Sequence, residues 1–67
     1  MIIKEVILLA IVDGEPTAVA CHMFLDVEDT EEEDEALYQE AKEEYEDEHD
    51  DRVVGRIIVT RVMDEED

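Results

Sequence analysis

The residues able to do chemistry in this chain are overwhelmingly carboxylates. "TEEEDEALYQEAKEEYEDEHDD", from Thr30 to Asp51, holds thirteen of them and one lysine in twenty-two positions. Such a run could ligate a divalent cation, share a proton in acid–base cleavage, or present an anionic field. An EF-hand needs oxygen ligands at alternating positions, a glycine at the sixth and a glutamate at the twelfth, and no such spacing exists here. Carboxylates on a helix diverge, so weak and diffuse Ca²⁺ or Mg²⁺ association is the most this pattern supports. Paired acids for glycosidic cleavage need a cleft, which 67 residues can scarcely build. His22 and His49 lie on different elements, and Cys21 and His22, adjacent on a strand, point to opposite faces, so no nucleophile and base are brought together. Cys21 reads as a small buried hydrophobe, His22 as a half-exposed strand residue, and His49 as a helix C-terminal group acting on the dipole. Gly14 and Gly55 cannot form a phosphate-binding loop. The expectation is a non-enzyme with no cofactor and no metal site.

Sixty-seven residues make one small domain, which buries only about 60% of the surface of its unfolded chain. One cysteine excludes an internal disulfide, leaving a partner chain or a metal as the support that scaffolds of this size usually need. A formal charge of -18 repels nucleic acid and anionic membrane and attracts basic surfaces. The expected partner is therefore a basic protein, with no direct nucleic-acid or membrane contact. The apolar run Val6 to Val12 is too short to span a bilayer and has no leader-like flank, from which a cytoplasmic location is expected.

The elements that must position the carboxylates follow from apolar spacing. "VILLAIV" (Val6 to Val12) is apolar on both faces and reads as a central strand. Asp13-Gly14-Glu15-Pro16 supplies hairpin chemistry. "TAVACHMFLDV" (Thr17 to Val27) alternates, with Val19, Cys21, Met23, Leu25 and Val27 on one face and Ala18, Ala20, His22, Phe24 and Asp26 on the other. "RVVGRIIVTRVM" (Arg52 to Met63) reads as the third strand. Between strands two and three, Thr30 and Glu33 spell a capping box, and Glu31, Glu32 and Asp34 suit the positive end of a helix dipole. Leu37, Ala41 and Tyr45, with Tyr38 beside them, form a narrow apolar stripe; Glu32, Glu35, Gln39, Glu43, Glu46 and Asp50 form the opposite row, flanked by Glu40 and Asp47.

The order β-β-α-β, with a right-handed crossover of the helix over strand one, predicts an α+β domain over residues 1–63 with strand order 2-1-3, followed by an acidic tail at 64–67. One helix covers one face of a three-stranded sheet, so the other face is expected to be buried in a homodimer.

The eleven carboxylates from Glu31 to Glu48 span roughly 27 Å of helix, one per ~2.5 Å, against one charge per ~1.7 Å of duplex DNA. In size, charge, carboxylate-studded helix and expected dimer, the chain resembles the small acidic DNA-mimic proteins of bacteriophages. It looks especially like phage inhibitors of the nucleoid-associated protein HU, and more distantly like anti-restriction mimics. The resemblance implies a host-takeover role as a viral protein: an inhibitor that occupies the DNA-binding surface of a host protein such as HU, with Glu32, Glu35, Glu40, Glu43, Glu46, Asp47 and Asp50 standing in for phosphates. Two alternatives differ in class. One is an interaction module using its apolar sheet face or edge, with acids serving solubility; the other is a weak divalent-cation binder.

Overall fold

A computed structural model describes residues 1–64. The chain runs β1 (Ile2–Val12), β2 (Glu15–Leu25), α1 (Glu31–Glu48) and β3 (Val53–Val62), and the sheet order is β2-β1-β3 with β1 antiparallel to both neighbours. This is the α+β arrangement expected from the sequence, with the most apolar strand in the middle. The C-terminal tail, apart from Asp64, lies outside the described residues.

Asp13 and Gly14, both at positive φ (52° and 83°), close the β1–β2 hairpin as a two-residue turn whose twist matches its strands. Pro16 is tolerated because β2 is an edge strand, where a missing N–H breaks no inner ladder. Beyond Ala10, where β3 begins with Val53 as its partner, the hairpin continues as two strands with every residue from 11 to 18 exposed. The molecule is accordingly long, 47 × 20 × 18 Å. Its radius of gyration of 13.2 Å exceeds the ~11 Å of a compact domain this size.

Alternation along β1 sorts its side chains. Lys4, Val6, Leu8 and Ala10 are buried beneath α1, and Leu37, Ala41 and Tyr45 of the helix meet Val6, Leu8 and Val53 to form the core. Phe24, Ala20, Ile58 and Tyr38 pack around it. On the opposite side, Ile3, Glu5, Ile7 and Leu9 lie on a face that none of the described elements covers.

Four expectations are corrected. β1 begins at Ile2, four residues before the apolar run, because Lys4 is not a strand boundary. Its ammonium is buried and sits 2.7 Å from Asp29 Oδ1 and 2.8 Å from Asp34 Oδ1. Strict alternation fails in β2, since register shifts between Leu8 and Leu9 and turns Val19 toward the core beside Ala20. The strand ends at Leu25, where Asp26 takes positive φ (57°) and swings Val27 back under the helix. Cys21, finally, is exposed: it pairs with Ile7 on the uncovered face.

The helix start is capped by half of the expected box. Thr30 Oγ1 accepts from the Glu33 N–H at 3.1 Å, while Glu33 Oε2 reaches past Thr30 to accept from the Glu28 N–H at 3.3 Å. At the other end, His49 caps the helix: its N–H donates to the Tyr45 carbonyl and its ring stacks on Tyr45 at 4.4 Å between centroids. The Tyr45 hydroxyl donates to Asp51, and burial, then that carboxylate, push its pKa up.

Leu37→Ala should cost about 2–5 kcal/mol in chemical denaturation and Thr30→Ala about 1 kcal/mol. Lys4→Met should lower the denaturation midpoint further than Arg56→Met; the reverse order would mean that the surface pair, not the buried one, holds the helix. The Lys4 pKa is raised by its hydrogen bond with Asp29, then by Asp34, against desolvation. A raised ammonium contributes stability that is complete below its unfolded-state pKa and lost as pH rises through the higher folded value, so the Lys4→Met difference should shrink only in strong alkali.

Candidate functional site: the acidic helix and its flanks

α1 is a single eighteen-residue helix with four acids in its first turn and no base in its last. Anions at the positive end of the dipole are favourable, but Glu46, Asp47 and Glu48 oppose its negative end, so packing and tethers to the sheet must hold it.

Those tethers divide the two flanks of the helix. Toward β3, Glu35 Oε2 accepts from Arg56 Nη1 at 2.7 Å, and Gln39 Nε2 donates to Glu35 Oε1 at 3.0 Å. The Arg56 guanidinium also lies 4.7 Å from the Tyr38 ring centroid. Gln39, then Arg56, hold the Glu35 carboxyl below the ordinary glutamate range. Farther along this flank Glu46 is half-buried, and its Oε2 accepts from the Val53 N–H at 2.9 Å, satisfying the donor that opens β3. Lys42, Glu46, His49, Asp50, Asp51 and Arg52 surround a shallow open depression of about 440 Å³ in which both signs of charge occur.

The crest and the β2 flank are different. Glu40, Glu43, Glu44 and Asp47, spaced i, i+3, i+4 and i+7, line a second open depression of about 510 Å³ with no base among them. β2 contains neither Lys nor Arg, and the nearest group is His22, whose Nδ1 lies 3.9 Å from Glu44 Oε2.

Of the seven carboxylates read from the sequence, Glu32, Glu40, Glu43 and Asp47 are exposed on α1 and make no hydrogen bond or ion pair among the described residues. Asp50 is exposed but lies past the last helical residue, Glu48. Glu35 and Glu46 are engaged by Arg56 and by the Val53 N–H. Glu44, which the row read from the sequence omits, stands 63% exposed beside Glu40, Glu43 and Asp47. Its i+4 relation to Glu40 could have included it; the ties of Glu35 and Glu46 depend on the approach of β3, which no local spacing encodes.

Among the described residues no group of three or more His, Cys, Asp or Glu side chains is placed to hold a metal ion, and no helix is long and apolar enough to cross a membrane. On the uncovered sheet face, partial desolvation by the neighbouring side chains, then the charge of Glu5, raise the Cys21 thiol pKa. This disfavours the nucleophilic thiolate.

No protein-family model matches this chain, and searches of curated proteins and of solved structures return no significant match.

A lowered carboxyl pKa contributes stability that is present above the unfolded-state value and lost as pH falls through the folded one. Side-chain carboxyl NMR should therefore show Glu35 titrating lower in the parent than in Arg56→Gln. An identical Glu35 titration in both proteins would remove Arg56 as a cause.

Proposed function

We propose that this protein is a non-enzymatic DNA mimic, which binds the basic DNA-binding surface of a protein such as HU and competes with DNA for it. The observation that carries this reading is the row Glu32, Glu40, Glu43, Glu44 and Asp47, exposed along a capped, sheet-backed helix whose neighbouring strand β2 carries neither Lys nor Arg. A solvated acidic coil would carry the same charge but would have to be ordered on binding, at an entropic cost that a folded helix avoids. A halophilic surface would spread acids over every exposed strand, whereas β3 presents Arg56 and Arg61 with no acid among its ten residues.

On this reading the crest and the β2 flank face the target, while Glu35 and Glu46 serve the fold. The site is accordingly Glu32, Glu40, Glu43, Glu44 and Asp47, with Asp50 at its C-terminal margin. Ionised carboxylates accept charge-assisted hydrogen bonds from the Lys and Arg side chains that otherwise contact phosphate oxygens. The partner is a basic protein; the host would be bacterial and the mimic a viral product acting in the host cytoplasm. The sheet-face interaction module is the second reading, favoured by the uncovered apolar face, and it predicts that substitutions on that face, not on the ridge, abolish target binding.

In a fluorescence competition assay, this protein should displace labelled duplex from HU, and its apparent affinity should fall steeply as NaCl rises, because screened charges attract less. Glu40→Lys with Glu43→Lys should weaken displacement at least about tenfold (~1.4 kcal/mol) with the circular dichroism spectrum unchanged. Glu35→Gln should leave displacement nearly intact. Simultaneous occupancy of one HU dimer surface by duplex and this protein would overturn the mimic reading for that target, and capture of other basic proteins from bacterial lysate, released by duplex DNA, would redirect it to another.

A further inference from the structure

The face of the sheet opposite α1 is largely apolar. Ile3, Ile7 and Leu9 of β1, Met23 and Leu25 of β2 and Ile57 of β3 share it, with Met23 58%, Leu25 59% and Ile57 49% exposed. Its charged side chains within the strands are Glu5, at the centre between Met23 and Val59, and Arg61, paired with Ile3 one step along. These cancel formally on a chain whose net charge is -18. In the single chain Glu5 and Arg61 make no ion pair with each other.

We infer that a second copy of this chain covers this face, in a two-fold sandwich that brings Glu5 of each copy to Arg61 of the other. Two observations select a second copy over another occupant. The first is charge: two chains of -18 repel through every other surface, and a partner that buries Glu5 must bring a cation for it and an anion for Arg61. A two-fold copy supplies both by construction, since in such an interface each contact occurs twice. The second is area. Three strands about 4.8 Å apart and about ten residues long at about 3.3 Å each give a face of about 500 Å². That gives about 1,000 Å² in a symmetric pair, the size at which a specific interface is expected. A twisted sheet packs on its like at about 30°, about 10 Å apart, so the side chains of both faces interdigitate.

The inference does not rest on the function proposed above and is tested on the protein alone. Analytical ultracentrifugation of the full chain at about 10 μM should give twice the 7.8 kDa chain mass. The dimer should tighten as NaCl rises, since salt screens the repulsion between the copies. Binding of the acidic ridge to a basic target must weaken with salt, so the two readings fail separately. Glu5→Arg and Arg61→Glu should each weaken the dimer about tenfold or more, and the double exchange should restore it. Alkylation of Cys21, which shares the buried face, should slow as concentration carries the protein into the dimer, giving a readout that needs no variant. A monomer at this concentration, or single exchanges that leave the dimer intact, would overturn the inference; a heterologous protein on this face in place of a second copy would do the same.

Discussion

A buried ammonium decides where the helix sits. Lys4 lies on the central strand, 1% exposed, between Asp29 in the β2–α1 connection and Asp34 in the first helical turn. Removing a charge from water is expensive unless opposite charges replace the lost hydration, and a helix entering with acids at its positive end supplies that replacement. The connection and the helix start are therefore held at one place on the sheet. Asp26 at positive φ, Val27 packed on the core and the reach of Glu33 to the Glu28 N–H all follow from bringing those two carboxylates over Lys4. Once the helix start is set there, Leu37, Ala41 and Tyr45 fall in step over Val6, Leu8 and Val53.

Much of this architecture was legible in the chain. The unbroken apolar run of β1 marked the centre of the sheet, the Asp-Gly pair marked the hairpin, and Thr30 marked the helix start, because each signal is local and has one structural solution. The remainder depended on contacts distant in sequence. Lys4 resembles a strand boundary until Asp29 and Asp34 are placed above it; Val19 alternates outward until register shifts opposite Leu8 and Leu9. Cys21 is typically buried by its chemistry, yet its strand turns it to the side without a helix. In the acidic row, periodicity identified which carboxylates leave the core but not which of them find partners, since Arg56 and the Val53 N–H arrive from a strand that follows the helix.

Few cations serve this fold, and their placement shapes the field outside it. Lys4 is buried beneath the helix start, Arg56 is tied to Glu35 and Tyr38, and Lys42 and Arg52 border the depression toward β3. All therefore lie beneath the helix or on its β3 side, and none lies along β2. A helix of nearly uniform sequence charge thus acquires one compensated flank and one uncompensated flank. The arrangement needs no special acids, only a sheet whose exposed basic residues occupy one edge strand.

Geometry then limits how a paired form could use that field. If two copies meet through their open faces, the layers stack helix, sheet, sheet, helix at about 10 Å each, and the two ridges point away from each other about 30 Å apart. A second copy therefore cannot lengthen the first ridge or raise its charge density toward that of a duplex; it adds an independent ridge on the far side. On the DNA-mimic reading proposed above, the single helix would have to match its target unaided, at one carboxylate per ~2.5 Å against ~1.7 Å for DNA, so recognition would rest on the fixed positions of a few carboxylates more than on total charge. What such a pair would add is valency. Two ridges facing opposite ways can hold two target molecules, and where those targets lie close together on a filament or a multisubunit assembly, the second contact forms at a high effective concentration.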